Sequence, residues 1–354
     1  MEEKRDIKSL TKEELTAYIK ECGYPAYRGG QLYDWMHRRL AERFDQMNNL
    51  PGKLREELEE TCTLRTLTLA TSLSSADGQT VKYLFRLEDG HMIESVWMKY
   101  HHGVSVCISS QVGCRMGCRF CASTLGGRVR DLTASEMLDQ VYRIQQISGE
   151  RVSHVVVMGT GEPLDNYDNL LKFIRLLTAE EGLHISQRNI TVSTCGLLEQ
   201  MDRLAAEGLQ ITLALSLHAS EDEERRRLMP IAKQYQIKEL LQACDRYLEK
   251  TGRRISFEYS LIAGENDSPE SAERLSKLLA GKNCHVNLIP VNPIKERNYR
   301  HSAAAQIMNF KNILENNRIN VTIRREMGAD IDAACGQLRR DYIHQANERG
   351  NYSS

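Results

Sequence analysis

From Val104 onward the chain repeats one pattern, and it limits the fold more than any other feature. A short apolar run of strand character is followed by a longer segment with apolar residues at helical spacing. VSVCIS precedes TASEMLDQVYRIQQI, SHVVVMG precedes NLLKFIRLLTA, and NITVST precedes LLEQMDRLAAEG. The series continues through ITLALSLH, ISFEYSLIAG, HVNLIPVN and INVTIRR, separated by further helical stretches. Strands joined through helices run parallel, because a parallel pair needs a crossover of about a dozen residues or more. The order therefore predicts an α/β fold on a parallel sheet, open or closed as a barrel. Thr133 and Glu136 supply a capping box that sets the start of the first core helix.

Such a sheet carries its chemistry in the loops after its strands, at their C-terminal ends. The unusual residues fall there. Cys114 to Cys121 follow the first strand, Gly159-Thr160-Gly161-Glu162-Pro163 the second, Ser193-Thr194-Cys195-Gly196 the third and Ser216-Leu217-His218 the fourth, while Asn292 follows the sixth.

The first part of the chain reads differently. Apolar residues recur at helical spacing over residues 9–62, punctuated by Gly23, Pro25 and Pro51. From about Thr63 the pattern turns to alternation, and Asp89-Gly90 marks a hairpin turn. The expected organisation is a small helical domain over residues 1–75, a linking β-hairpin over 76–99, a core barrel over 100–335 and a tail over 336–354.

With 354 residues, 41% of them hydrophobic, the chain can bury a sizeable core. Its 47 Lys and Arg balance 48 Asp and Glu, which leaves no whole-molecule field to attract nucleic acid, so any such surface must be local. The opening MEEKRDIKSLTKEEL lacks the apolar core of a signal peptide, and no run approaches the roughly 18 apolar residues of a membrane span. A cytosolic protein is expected.

The ten cysteines are then expected to serve metal binding or catalysis rather than a disulfide framework. Cys22, Cys62, Cys107, Cys195, Cys244, Cys284 and Cys335 stand apart, and an isolated Cys is by default a small buried hydrophobe. Only Cys114, Cys118 and Cys121 are tightly clustered. Three thiolates from one loop can hold three irons of a cubane cluster and leave the fourth open, where an amino acid's amine and carboxylate can chelate. Structural zinc is the alternative, and it would need a fourth ligand from a distant Cys or His. The Gly159 to Pro163 loop is not a dinucleotide fingerprint, because no third glycine closes the motif.

The Cys114-x-x-x-Cys118-x-x-Cys121 spacing, with Phe120 before its last cysteine, resembles the signature of the radical S-adenosylmethionine (SAM) superfamily. The resemblance spans about residues 100–335 and implies a partial (β/α) barrel, a [4Fe–4S] cluster and SAM. It makes Gly161 and Glu162 part of the site for the SAM amino group. The stretches CISSQVGCRMGCRFCAS, MGTGEP, SLHAS, RRLMPI, NLIPVNP and DIDAACGQL together resemble the RlmN/Cfr family of RNA adenosine methyltransferases. QVGC and ASTLGG favour its RlmN branch, whose N-terminal region is an accessory RNA-binding domain.

This resemblance implies methylation of adenine C2 in 23S rRNA and in tRNA beside the anticodon. It implies that Cys335 carries the methyl group as S-methylcysteine, and that Cys107 later resolves the RNA adduct through a transient disulfide with Cys335. Glu94 corresponds to the family's general base, and Ser193, Ser216, Leu217, His218 and Asn292 to SAM-binding positions. An electron donor such as flavodoxin or ferredoxin is implied as well. Cys195 departs from the family pattern, which has Ser there.

Without the resemblance, Glu94 reads as a charge on the solvent face of a hairpin and Cys107 as a core residue. Arg128 and Arg130, Arg225 to Arg227, Arg253 and Arg254, Arg324 and Arg325, Arg339 and Arg340, and His37 to Arg39 are candidates for holding RNA phosphates. Solvated ion pairs are their ordinary alternative. Two other functions fit the residues less well: a Cfr-like C8 methyltransferase, and a non-catalytic RNA-binding protein with a structural metal.

Overall fold

The computed structural model describes residues 4–64, 67–292, 297–324 and 338. Cys335 lies outside the described residues, as do Arg325, Arg339, Arg340 and all of the expected tail except Leu338.

The N-terminal unit contains β1 (Arg5–Asp6), α1 (Lys12–Glu21), α2 (Tyr27–His37), α3 (Gly52–Thr61) and β2 (Cys62–Thr63). Helix α1 starts at a capping box in which Thr11 accepts from Glu14 N and the Glu14 carboxylate accepts from Thr11 N, so two otherwise orphaned amides are satisfied. The two short strands pair in parallel and tie the ends of the unit together. Leu15, Ile19, Leu32, Met36, Leu54 and Leu58 share its core.

A meander follows, made of β3 (Leu67–Ser74), β4 (Thr80–Leu87) and β5 (Met92–Tyr100). The expected turn is present at Asp89-Gly90, where Gly90 takes φ 84° and donates to Leu87 O. The segment has three strands where a hairpin was expected, and the first begins inside the stretch assigned to the helical domain. Strand β3 pairs with β4, so it belongs to the main sheet. The meander widens that sheet rather than merely linking two parts.

The sheet continues through β6 (Gly103–Cys107). Beyond it, β7 (Gln111–Gly113) and β8 (Arg128–Asp131) form a separate antiparallel ribbon. Then come α4 (Ala134–Ser148), β9 (Val152–Val157), α5 (Tyr167–Thr178), β10 (Ile190–Thr194), α6 (Leu198–Ala206), β11 (Thr212–Ser216), α7 (Asp222–Leu228) and α8 (Ile237–Thr251). The described fold ends with β12 (Ile255–Leu261), α9 (Pro269–Leu279), β13 (Cys284–Pro290), α10 (Ala304–Asn316) and β14 (Asn320–Ile323). The ten-stranded sheet runs β14-β13-β12-β11-β10-β9-β6-β5-β4-β3, and its pairings from β6 to β14 are all parallel. This is the partial (β/α) barrel that the alternating pattern and the family resemblance imply.

Side chains alternate across this sheet and separate its two faces. On β12, Ile255, Phe257, Tyr259 and Leu261 join the helix-side core, and burying such a side chain stabilises the fold by about 1.5–3 kcal/mol. Ser256, Glu258 and Ser260 take the other face. The same division puts Leu213 and Leu215 in the core opposite Thr212, Ala214 and Ser216. One face is oily and permanent, while the other is polar and available.

Candidate active site

A cavity of about 340 Å³ opens at the C-terminal ends of the parallel strands. Its wall includes Cys107 from the end of β6, Gly161 and Glu162 after β9, Ser193 and Cys195 at the end of β10, and Ser216 and His218 at the end of β11. Glu258 and Ser260 on β12, Asn292 after β13 and Arg324 after β14 complete the circuit. Cys114, Cys118 and Cys121 all face this same space.

The cysteine loop is built by close backbone contacts. Cys114 N donates to Gly127 O at 3.0 Å, and a Cβ on Gly113 would lie 1.9 Å from that oxygen, so the position has room only for glycine. Thr124 Oγ1 lies 3.0 Å from both Cys118 O and Cys121 O and donates to them, which ties the loop's two later cysteines together. The next strand end is fastened to the loop entry. Ser110 N and Gln111 N both donate to Thr160 O, and Glu162 N donates to Gln111 Oε1 at 2.9 Å. Gly161, at φ 112°, lies so close to Gln111 and Ser110 that an added Cβ would stand 2.7 Å from each.

Burial pushes the Cys114 thiol up to about 12 and the Cys118 thiol well above its ordinary value, and the neighbouring cysteine sulfurs act in the same direction. Three mutually repelling thiolates in one loop need positive charge between them. Among the described residues, no three His, Cys, Asp or Glu side chains converge on a single-ion site. A cubane cluster does not require such convergence, because each thiolate binds a different iron. Soft donors on one cavity wall, with Met116 and Phe120 packed beside them, fit that cluster.

Glu162 is buried. Its Oε2 accepts from Cys195 N at 2.8 Å and its Oε1 from Leu164 N at 3.1 Å. Burial raises its proton affinity, and the bonds from Cys195, Thr194 and Leu164 oppose that rise. The contact comes from the Cys195 backbone, so it does not depend on the side chain at that position. His218 takes the uncommon left-handed conformation at φ 56°, and its Nδ1 accepts from Ser260 N at 2.9 Å. That bond places the ring proton on Nε2, and burial lowers the ring to about 3, so it stays neutral. Ser193 Oγ and Ser216 Oγ lie 3.3 Å apart on adjacent strands. Leu217 differs from its expected neighbours: its side chain belongs to the helix-side core, its amide donates to Glu258 O and its carbonyl accepts from Arg225.

The opposite wall comes from the meander. Val96, Met98 and Cys107 pack together, and β5 pairs Val96 with Cys107. Cys107 is thus both a packed residue and part of the cavity wall. Glu94 lies on the same face as Val96 and Met98 but does not itself line the cavity. Its carboxylate is 3.1 Å from Lys82 Nζ, and both side chains are almost fully buried at 4% and 0% exposure. The solvent-face reading of Glu94 is therefore wrong, because the meander joins the barrel and closes over that position.

Several basic candidates are corrected too. Arg225 and His37 are buried, the latter bonded through Nδ1 to Tyr142 Oη at 2.9 Å, so neither is available to a phosphate. Arg128 pairs with Asp131 and Asp165, and Arg130 with Asp89 and Glu136. Sequence reading missed Glu258, Ser260 and Lys82. The signal was available in ISFEYSL, where polar residues at every second position of a buried strand mark the face turned to the cavity.

Comparison with known proteins places this arrangement. Residues 108–275 match the Radical SAM superfamily, and residues 5–64 match the ribosomal RNA large subunit methyltransferase N-terminal domain. A radical SAM methyltransferase from Sphaerobacter thermophilus has a crystal structure that superposes with a TM-score of 0.91 at 44% identity, over 94% of this chain and 98% of its own. The chain is a radical SAM enzyme, a class that uses a [4Fe–4S] cluster and SAM.

A probable dual-specificity RNA methyltransferase RlmN from Lachnoclostridium phytofermentans is 62% identical over 96% of both chains. Its namesake from Lachnospira eligens is 62% identical over 97% of this chain and 98% of its own. The chain belongs to the RlmN family of radical SAM RNA methyltransferases. Among the described residues, no helix is long and apolar enough to cross a membrane.

Proposed function

We propose that this enzyme methylates C2 of an adenosine in 23S rRNA and of an adenosine beside the anticodon in tRNA, acting in the cytoplasm with flavodoxin or ferredoxin as electron donor. When bound, SAM would supply the methyl group, and the cluster would supply the electron that starts the radical chemistry. Cys114, Cys118 and Cys121 hold three irons. Glu162 accepts from the SAM ammonium, while Ser193, Ser216, the neutral His218 and Asn292 orient the rest of that molecule.

Cys335 carries the methyl carbon to the base. Glu94 takes the proton from C2 of the RNA adduct, which gives up its odd electron. The Cys107 thiolate then attacks the Cys335 sulfur, and the sulfur–carbon bond breaks with its electron pair left on the carbon. That carbon takes a proton to become the methyl group, and an external dithiol reduces the resulting disulfide for the next turnover. The helical unit over residues 5–64 engages RNA.

The observation that carries this reading is that Cys107 lines the same cavity as the three clustered cysteines and Glu162, from the wall that faces them. A thiol on that cavity supports the reading, because a base withdrawn from its stack has to enter such a space to react. Mass spectrometry of nucleosides from RNA treated with the reconstituted enzyme tests it. The expected product is 2-methyladenosine; 8-methyladenosine would move the chain to the other chemistry of its wider family, and unmodified adenosine would defeat the proposal.

A further inference from the structure

The stretch RRLMPI packs directly on the cysteine loop. Leu228 O accepts from Arg119 N at 2.9 Å, and Pro230 lies 3.3 Å from where a Cβ on Gly117 would stand. Leu228 and Met229 belong to the same apolar group as Cys114, Met116 and Cys195. One turn before Leu228, Arg225 points the other way from its neighbours: Arg226 and Arg227 are exposed, while Arg225 is 1% exposed.

Its guanidinium donates through Nη2 to Cys195 O at 2.7 Å and Ser216 O at 3.3 Å, and through Nε to Leu217 O at 3.1 Å. Every acceptor that the described residues offer it is a backbone carbonyl. A buried cation held only by neutral oxygens is costly unless an anion shares its surroundings. Cys195, whose carbonyl takes the shortest of these bonds, packs with Cys114 and Cys118 of the cysteine loop, while the Asp222 carboxylate on the same helix already accepts from Ile237 N through Oδ1.

We infer that Arg225 is the built-in counter-charge of the iron–sulfur cluster, holding the strand ends of β10 and β11 against the cysteine loop and making the cluster easier to reduce. The inference rests on the assignment of Cys114, Cys118 and Cys121 as its ligands. Reduction adds one negative charge to a cluster that three thiolates already make anionic, and a fixed cation nearby favours that state. Arg225 thus acts as a positioning and potential-setting residue, not as a group that touches RNA.

The test is a redox titration of the anaerobically reconstituted full chain without SAM, with the reduced cluster followed by electron paramagnetic resonance. In Arg225→Met the ratio of reduced to oxidised cluster at a fixed potential should fall at least tenfold, a shift of about 59 mV for one electron. Arg225→Lys, which keeps the charge, should stay within about threefold of the parent on the same scale. An unchanged potential in Arg225→Met overturns the inference, and so does an effect on SAM affinity alone.

If Arg225→Met takes up no cluster, Arg225→Gln carries the same comparison. Should both neutral variants lack a cluster that Arg225→Lys retains, the charge is required and the inference stands; loss in Arg225→Lys as well overturns it. Iron and sulfide analysis of the parent separates the two layers, because a parent without sulfide defeats the cluster assignment itself.

Discussion

The cavity has two walls made in different ways. Along β9 to β12 the exposed face is polar and its geometry is fixed by the backbone. Cys195 N bonds Glu162, Ser260 N bonds His218, and Leu217 N and His218 N both donate to Glu258 O. Along β5 and β6 the face is apolar, with Val96, Met98 and Cys107 in contact, and the ion pair of Lys82 on β4 with Glu94 is buried away from the cavity lining. The first wall suits a small zwitterion whose polar groups are always the same. The second suits a flat base and a sulfur-borne methyl group, for which dryness matters more than hydrogen bonds.

If that contrast is right, damage to one wall should leave the other's function intact. The largest effect is expected at Lys82. Removing one member of a buried ion pair costs about 3–5 kcal/mol, so Lys82→Met should lower the urea midpoint sharply while SAM affinity in the folded fraction stays unchanged. The double variant Lys82→Met with Glu94→Leu should recover much of the loss, and no recovery would mean that the pair itself is not the source of stability.

On the polar wall, Glu162→Gln removes the acceptor proposed for an ammonium. A charged hydrogen bond contributes about 1.5–3 kcal/mol, so SAM should bind about tenfold to a hundredfold more weakly, with iron and sulfide content unaltered. Equal SAM affinity would remove Glu162 from the site.

The smallest effect concerns pH. His218 has a folded value of about 3 against 6.5 in an open chain, because burial disfavours its charged form. The unfolded state therefore binds the extra proton below pH 6.5, and native stability falls as pH drops through that window. Between pH 7 and pH 5 this residue's share is about 2 kcal/mol, and His218→Asn should flatten the profile by that amount.

The seven parallel strands were legible because burial on the helix side leaves a run of apolar residues, and the cysteine cluster because no isolated thiol has the spacing of Cys114, Cys118 and Cys121. Residues whose role depends on distant chain were not. Arg225, Arg226 and Arg227 are identical in local sequence, and only the packing of α7 on the cysteine loop turns the first inward. Lys82 looks like an ordinary strand lysine until β4 and β5 pair and bring Glu94 beside it. Family resemblance makes Glu94 a candidate base, whereas its local sequence reads as a solvent-face charge, which its buried place beside Lys82 contradicts.

The most direct test of the division between the walls is Cys107→Ala, assayed for RNA bound covalently to protein on a denaturing gel. The account predicts a variant that loads SAM, forms the adduct and cannot release it, so protein crosslinked to RNA accumulates. Free, fully methylated RNA produced at the parent's rate would contradict it.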